Sequence, residues 1–249
     1  MGNMLQGSAV EASSRHESGS ERPPSLLVFD VNETLLDIEV LTPHFSRIFG
    51  DAAVLRTWYD ELVMYSMTLT LAGYYTDFFT LGQAVLAMIA DVHRIEIADH
   101  DRQGLVEAMR TMPAHADVTS GLRRLGDLGY RLVTLTNSPH DPDTATPLDN
   151  AGLSQYFERQ FSVDSSRVYK PSPSLYQGVA HEMEVPTSDC MMVAAHAWDT
   201  IGAQAAGFQA ALITRPGNAA LHGVGIPQPT LAATDLNELA TKLGRSVNP

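Results

Sequence analysis

Asp30 follows the apolar run Leu26–Phe29, at a position that suits a carboxylate with a chemical role. Four consecutive apolar residues are enough for a buried strand. The polar side chains that come next put Asp30 at the carboxyl end of that strand, the edge where open parallel sheets bind ligands. An aspartate beside Asn32 and Thr34 could also be a turn or helix-capping residue. This motif alone leaves both interpretations open.

Polar side chains also follow three later apolar runs. Each has an ordinary structural interpretation when taken singly, such as a turn former, a helix cap or a solvated lysine. The carboxyl ends of parallel strands lie at one edge of a sheet, so together these side chains should meet Asp30 and Thr34 and form a candidate active site. They are Thr136 and Asn137 after the second strand, Lys170 after the third, and Asp199 after the fourth.

The elements that must position these residues alternate between strand and helix from residue 113 onwards. This alternation predicts an α/β fold with a doubly wound parallel sheet. Strands are expected at 26–29, 131–138, 161–164 and 190–195, with a last strand at 210–214. Helices are expected at 118–128, 175–183 and 200–206.

Residues between the first strand and about residue 112 have the periodicity of helices. Apolar residues recur every three or four positions and β-branched runs are few, which predicts about four helices inserted directly after the first strand. The helix at 58–71 is apolar around much of its circumference. This pattern is typical either of the core helix of a bundle or of a subunit contact.

Composition restricts the class of protein. Acidic residues outnumber basic ones by 29 to 16, and the net charge of −13 argues against nucleic acid and anionic membranes as partners. No apolar run in the sequence approaches the roughly 20 residues of a membrane span. The single cysteine, Cys190, excludes an intrachain disulfide and a thiolate zinc cluster. These features predict a cytoplasmic protein.

The strand ends resemble the four motifs of the haloacid dehalogenase superfamily. The matching segments are Asp30–Leu35, Leu135–Asn137, Lys170–Pro173 with Tyr176, and Ala195–Asp199. Within the superfamily the chain is similar to the type II L-2-haloacid dehalogenases. The segments that carry this second similarity are Tyr65–Ser66 and Tyr75–Phe78 in the helical block, and the run around Trp198 in the fourth motif.

The resemblance covers roughly residues 25–240 and implies a division into domains. It implies a HAD-like core domain over 25–40 and 113–249 and a helical cap domain over 41–112, with a homodimer contact through the helix at 58–71. Residues 1–24 have no hydrophobic stretch, and we expect a disordered tail there rather than a secretory signal.

The resemblance also implies a reaction. Asp30 would attack a carbon atom of a small carboxylate substrate as a nucleophile, and water would hydrolyse the aspartyl ester. Lys170 would keep Asp30 ionised, and Asp199 would position Lys170 or the hydrolytic water, with no cofactor or metal. Thr34, Thr136 and Asn137 would donate hydrogen bonds to Asp30 or the substrate, and the substrate-binding residues would include Asn32, Glu33, Trp58, Tyr59, Tyr65, Tyr176 and Trp198.

Two departures separate the chain from the phosphatases of the superfamily. Those enzymes have a second aspartate where this chain has Asn32, and an acidic Mg²⁺ ligand where it has Ala195. A hard divalent cation prefers several oxygen ligands, above all anionic ones. The sequence therefore argues against a metal-dependent phosphatase.

Other departures separate it from the dehalogenases. In that subfamily an arginine that receives the halide follows a tryptophan of the cap, whereas here Trp58 is followed by Tyr59. A departing halide needs positive charge or strong hydrogen-bond donors. At the first motif Glu33 replaces a glycine, and at the fourth His196 replaces an asparagine. The leaving group is then either held by other residues or is not a halide.

His196 and Glu33 are titratable groups added near the nucleophile, and either could protonate an amine leaving group. The first motif and the helical block are also similar to those of azetidine-2-carboxylate hydrolases, which open a strained four-membered ring. The alternative is that His196 is a neutral, hydrogen-bonded core histidine.

The favoured hypothesis is a metal-independent hydrolase that displaces the substituent at C2 of a short 2-substituted carboxylate. Opening of a cyclic amino acid is the alternative within the same chemistry. A Mg²⁺-dependent phosphatase fits the motifs less well. An inactive binding or assembly module would have no reason to retain Asp30, Lys170 and Asp199 together.

Overall fold

The computed structural model describes residues 23–140 and 143–247, and residues 1–22 of the expected tail lie outside this range. Its centre is one parallel sheet of six strands in the order β3-β2-β1-β4-β5-β6. The doubly wound α/β fold expected from the sequence is therefore confirmed. The strands are β1 Leu26–Phe29, β2 Arg131–Thr136, β3 Arg159–Ser162, β4 Cys190–Ala194, β5 Gln209–Ile213 and β6 Leu231–Ala233.

Strand β1 lies in the middle of the sheet, with all four of its side chains fully buried. It pairs with β2 on one side and β4 on the other, where Phe29 is in register with Thr134 and Val193. Burial on both faces explains why β1 is a continuous apolar run rather than an alternating one. Asp30 follows Phe29 and so lies at the centre of the carboxyl edge, where its backbone N–H donates to the Val193 carbonyl at 3.0 Å.

Helices cover the sheet and form an insertion after β1. The expected four helices before residue 112 are present as α1 to α4, and the other helices connect or follow the later strands. The helices are α1 Thr42–Phe49, α2 Val54–Ala72, α3 Phe78–His93, α4 Asp99–Arg110, α5 Val118–Asp127, α6 Pro147–Asn150, α7 Pro173–Glu182, α8 Ala197–Ala205 and α9 Leu236–Val247.

Helix α2 has the mixed character that the sequence suggested. Leu55, Trp58 and Leu62 are buried among the helices of the insertion, as in the core of a bundle. Met64 and Leu71 lie on the other side of the helix and are exposed. Within the described part of the chain, no helix combines the length and apolar character that a membrane span needs.

The prediction that the strand at 210–214 is the last was wrong. A sixth strand, β6, pairs with β5, and α9 follows it. The buried side chains of α9 include Leu236, Leu239 and Leu243. The helix packs closely on α5 because Gly121 has no side chain: a Cβ atom there would lie 2.3 Å from Cβ of Leu236.

Candidate active site

Asp30 and Lys170 form a buried ion pair at the carboxyl edge of the sheet. Nζ of Lys170 lies 2.8 Å from Oδ1 of Asp30. The other carboxylate oxygen, Oδ2, accepts a hydrogen bond from the Thr34 hydroxyl at 2.7 Å. That hydroxyl accepts in turn from the backbone N–H of Ala195 at 2.9 Å, which fixes its direction. Both oxygens of Asp30 are therefore oriented by donors from separate parts of the chain.

Lys170 is fully buried and makes two further contacts. Its ammonium donates to Oδ2 of Asp199 at 2.7 Å and to the Leu135 carbonyl at 3.0 Å. The remaining oxygen of Asp199 accepts a hydrogen bond from the Tyr176 hydroxyl. All three hydrogens of the ammonium thus have acceptors. The arrangement fixes the ammonium directly beside Asp30.

The backbone around Lys170 is held by helix α8. Gly202 of α8 packs directly on Pro171: a Cβ atom at position 202 would lie 2.5 Å from Cβ of Pro171 and 2.6 Å from its carbonyl oxygen. The side-chain oxygen of Asn137 accepts from the backbone N–H of Lys170 at 3.2 Å. The position of the lysine therefore depends on a close approach that only glycine permits.

These contacts set the charges of the pair. Burial raises the pKa of Asp30, but the positive charges of Lys170 and His196 outweigh it and bring the pKa well below its usual range. Burial lowers the pKa of Lys170, but Asp199 and Asp30 outweigh it and raise the pKa. Burial and the nearby Asp30 charge raise the pKa of Asp199. Asp30 is therefore an ionised carboxylate, which is the form that acts as a nucleophile.

His196 lies on the other side of Asp30. Its Nε2 is 2.7 Å from Oε2 of Glu33, and its Nδ1 is 3.4 Å from Oδ2 of Asp30. Burial lowers the pKa of His196, but the neighbouring carboxylates of Asp30 and Glu33 outweigh it and raise the pKa to about 9. These two carboxylates therefore favour the positively charged imidazole over the neutral one.

A cavity of about 740 Å³ opens between His196 and helix α2. The imidazole stacks on Trp198, with ring centres 5.0 Å apart, and Tyr59 lies on another side at 5.8 Å. Asp30 is only 5% exposed and does not line this cavity, whereas His196 and Glu33 do. The cavity wall also includes the apolar residues Val63, Met64, Met67 and Leu71 and the charged residues Arg56 and Asp60.

Arg56 is a residue of this cavity that the sequence did not single out. It lies on α2, and its guanidinium makes ion pairs with Glu33 and Glu39. The cation that could replace the missing arginine after Trp58 is thus two positions before that tryptophan. A charged residue on a largely apolar helix was the available signal, but only the fold shows that it faces Glu33.

The donor set does not fit a magnesium ion. The ammonium of Lys170 already bridges Asp30 and Asp199, and Ala195 has no carboxylate to offer. Among the described residues, no group of three His, Cys, Asp or Glu side chains has the arrangement of a metal site. The side chains around Asp30 and Asp199 therefore do not provide the several oxygen ligands that a hard cation prefers.

Three residues that were predicted to belong to the site lie near Asp30 in the sequence or the sheet, but form hydrogen bonds with other groups. The amide of Asn32 donates to the Ser138 hydroxyl at 3.3 Å. The hydroxyl of Thr136 accepts from the backbone N–H of Ser138 at 3.1 Å and lines a separate small cavity. Asn137 bonds the backbone of Lys170 as described above. These hydrogen bonds support the backbone at the carboxyl edge, and none of them is to the Asp30 carboxylate.

Three of the residues that were predicted to bind substrate do not line the cavity. The indole of Trp58 is 1% exposed and donates to the Gly82 carbonyl at 2.9 Å within the helical insertion. Tyr65 is partly buried against the hydrophobic core and is not among the residues around the cavity. Tyr176 is fully buried against Asp199. The expectation that Trp58 binds substrate therefore does not agree with its position.

Comparison with known proteins gives a consistent result. The family model for haloacid dehalogenase-like hydrolases matches residues 24–207. The (S)-2-haloacid dehalogenase 1 of Pseudomonas sp. (strain CBS-3) is 30% identical over 195 residues, which are 78% of this chain and 86% of that protein. The (S)-2-haloacid dehalogenase 4A of Burkholderia cepacia is 28% identical over 193 residues, 77% of this chain and 83% of that one.

Solved structures show the same similarity over most of the fold. A crystal structure of an L-2-haloacid dehalogenase has a TM-score of 0.82 at 25% identity and covers 89% of this chain and 99% of its own. A dehalogenase with an intermediate complex has a TM-score of 0.81 at 26% identity, with coverage of 90% and 98%. The chain therefore belongs to the haloacid dehalogenase-like hydrolase family, as its four motifs suggested.

Proposed function

We propose that this protein is a metal-independent hydrolase of the 2-haloacid dehalogenase type, in which Asp30 displaces the substituent at C2 of a short carboxylate. The observation that carries this proposal is the oriented, ionised carboxylate of Asp30, held by Lys170 at 2.8 Å and Thr34 at 2.7 Å. A charged carboxylate shielded from water is a better nucleophile toward carbon than a solvated one.

In the first step Oδ2 of Asp30 attacks C2 of the substrate from the side opposite the leaving group. An ester bond forms between Asp30 and C2, and the leaving group departs with the bonding electron pair. Lys170 remains on Oδ1, where it opposes protonation of Asp30.

In the second step water attacks the Cγ carbon of the ester. Negative charge develops on Oδ1 in the tetrahedral intermediate, and the ammonium of Lys170 stabilises it. The bond between Cγ and the ester oxygen then breaks, which releases a 2-hydroxy carboxylate and regenerates Asp30. One difficult displacement is thus divided into two easier steps.

Access to Asp30 requires the helical insertion to move. The nucleophile is 5% exposed, and α2 forms the opposite wall of the adjacent cavity. We therefore assign residues 41–112 the role of a cap over the core formed by 25–40 and 113–249. Arg56, which joins α2 to Glu33 and Glu39, would hold this cap closed. Faster hydrogen exchange of α2 in Arg56→Ala would support this role, and unchanged exchange would contradict it.

The names of the relatives support the substrate class. Proteins at 28% and 30% identity are (S)-2-haloacid dehalogenases. We therefore expect chloride release when the protein is incubated with L-2-chloropropionate, and none from Asp30→Asn, whose side chain is nearly isosteric but is a poor nucleophile. Equal chloride release by the protein and this variant would contradict the proposal.

A second candidate is the opening of azetidine-2-carboxylate by the same nucleophile. The positively charged His196 beside Asp30 favours it, because an amine leaving group needs a proton and a halide does not. Incubation with L-azetidine-2-carboxylate should then yield the hydroxy amino acid. Chloride release without any ring opening would eliminate this candidate.

We also propose a homodimer that uses the exposed apolar side chains in the second half of α2, some of which also border the cavity beside His196. Met64, Leu71 and Tyr74 are exposed large apolar side chains on or just after this helix. Apolar groups in this position favour contact with a second surface. Light scattering at micromolar concentration should give the mass of a dimer, and a monomer mass would contradict this part of the proposal.

A further inference from the structure

The imidazole of His196 has one nitrogen that is bonded and one that is not. Nε2 meets Oε2 of Glu33 at 2.7 Å. Nδ1 is buried and has no hydrogen-bond partner within the described structure, although it lies 3.4 Å from Oδ2 of Asp30. Buried nitrogens usually have a hydrogen-bond partner, and the nearest group to this one is the Asp30 carboxylate, whose charge is lost when the ester forms.

Glu33 is held in an unusual conformation to reach His196. Its φ angle is +63°, in the left-handed region that side chains other than glycine seldom adopt. The motif that this segment resembles has glycine at that position. Residues held in such conformations are strained and concentrate at functional sites. The turn therefore retains a strained glutamate whose carboxylate orients the imidazole.

Other carboxylates near Asp30 are not placed to act as a base on the ester. Asp199 is fully buried, and its two oxygens are bonded to Lys170 and Tyr176. The Glu33 carboxylate bonds Arg56 and His196. His196, in contrast, lines the cavity and places Nδ1 3.4 Å from Oδ2 of Asp30 without a hydrogen bond.

We propose that His196 is the general base of ester hydrolysis, with Glu33 as the residue that positions its ring. Nδ1 accepts a proton from the water molecule that attacks Cγ of the Asp30 ester. This assignment rests on the proposed function and adds a catalytic residue to its second step. The contacts of His196 with Asp30 and Glu33 thus hold a base next to the ester that Asp30 forms.

The proton balance closes over one turnover. In the resting site Asp30 is a carboxylate and His196 an imidazolium. Alkylation removes the negative charge of Asp30, and the imidazolium then loses its proton. With a halide substrate this proton goes to solvent. With a cyclic amino acid it goes to the amine leaving group. The neutral imidazole takes a proton from water, and this proton passes to the departing alkoxide of the product. The Asp30 carboxylic acid then returns its own proton to His196, which restores the resting pair.

Ester formation is what converts His196 from an acid to a base. In the resting site the Asp30 and Glu33 charges favour the imidazolium. Ester formation removes the negative charge of Asp30, so only Glu33 then stabilises the imidazolium. Arg56 forms an ion pair with Glu33, and its positive charge offsets the charge of that carboxylate. The other titratable groups that face this region from α2 are Tyr59 and Asp60. Loss of the imidazolium proton therefore becomes easier after the first step.

The test uses the full-length protein with L-2-chloropropionate and compares His196→Gln with the wild type. Glutamine retains a donor toward Glu33 but has no basic nitrogen. We expect a burst of one chloride per enzyme, the mass of the ester on the protein, and hydrolysis slower by about 10²–10⁴-fold. The matched control is His100→Gln, at a histidine that is 75% exposed, and it should behave as the wild type.

Imidazole rescue separates a base from a structural role. Added imidazole should accelerate ester hydrolysis by His196→Ala and leave the wild type unchanged. Steady turnover by His196→Gln within about twofold of the wild type, without accumulated ester, would overturn the assignment. A wild-type protein that forms no ester and releases no chloride would contradict the proposed function instead, and the assignment with it.

Discussion

The ammonium of Lys170 lies 2.8 Å from the carboxylate of Asp30, although 140 positions separate them in the chain. The sheet makes this contact possible because β1 is central and the turn carrying Lys170 returns to the same edge. Both side chains are buried, so the attraction between them is screened much less than at a surface. The fold thus places a positive charge beside Asp30, which favours the ionised form of its carboxylate.

Replacement of Lys170 by methionine should abolish most activity and destabilise the protein. Methionine has similar length but no charge, so Asp30 and Asp199 remain buried without their shared cation. Breaking a buried ion pair in this way costs about 3–5 kcal/mol. Chloride release and urea unfolding measure the two effects. Full activity in Lys170→Met would show that the ammonium does not activate Asp30.

Thr34→Val should slow alkylation by about 10- to 100-fold while the fold is retained. Valine has the same shape but removes the donor to Asp30 and leaves the backbone N–H of Ala195 without its acceptor. A lost buried hydrogen bond costs about 1–3 kcal/mol. Single-turnover chloride release gives the rate, and Thr34→Ser is the control that keeps the hydroxyl. If serine and valine reduce the rate equally, the hydroxyl is not the relevant group.

Gly202→Ala should reduce activity although Gly202 is not among the residues that line the cavity. The added Cβ would meet Pro171 at 2.5 Å and displace the turn that carries Lys170. Overpacking of this kind costs about 1–3 kcal/mol, and misplacement of a reactive group by about 1 Å can cost about 10²-fold in rate. Gly178→Ala on α7 is the control, because nothing lies within 4 Å of its added Cβ. Equal rates for both variants would contradict this account.

The stabilising contribution of His196 should decrease in alkaline solution. Its pKa rises from 6.5 to about 9 on folding, so the contribution is complete below pH 6.5 and is lost as the pH rises through 9. The free energy of unfolding of the wild type relative to His196→Gln should fall by up to about 3 kcal/mol over that interval. Urea titrations at several pH values measure it. If the difference in free energy of unfolding between the wild type and His196→Gln increased with pH, the imidazole would not be charged in the folded protein.

Hydrophobic patterns predicted the central fold because β1 and β4 are buried along their whole length and β2 is buried at its four central residues. Strand β6 was not predicted because Leu231–Ala233 has only three residues and follows a stretch rich in glycine and proline. Its pairing depends on β5, a tertiary contact that local patterns do not contain. Helix α9 did carry a signal, in the three- and four-residue spacing of Leu236, Leu239 and Leu243.

The site shows a similar division. Motif order and strand ends identified Asp30, Thr34, Lys170 and Asp199, which the structure joins in one set of hydrogen bonds. Position in sequence could not show that Trp58 points into the helical insertion rather than the cavity. The ion pair of Arg56 was likewise hidden, because its partners lie 23 and 17 positions away on the core side.

The covalent role of Asp30 is tested most directly by one turnover in water enriched in ¹⁸O, with enzyme in excess over L-2-chloropropionate. Mass spectrometry of the peptide containing Asp30 and of the lactate product locates the isotope. Water attacks Cγ in our account, so the label should enter the Asp30 carboxylate and the first product should carry unlabelled enzyme oxygen. Label in the product hydroxyl with none in Asp30 would show direct attack by water and contradict the account.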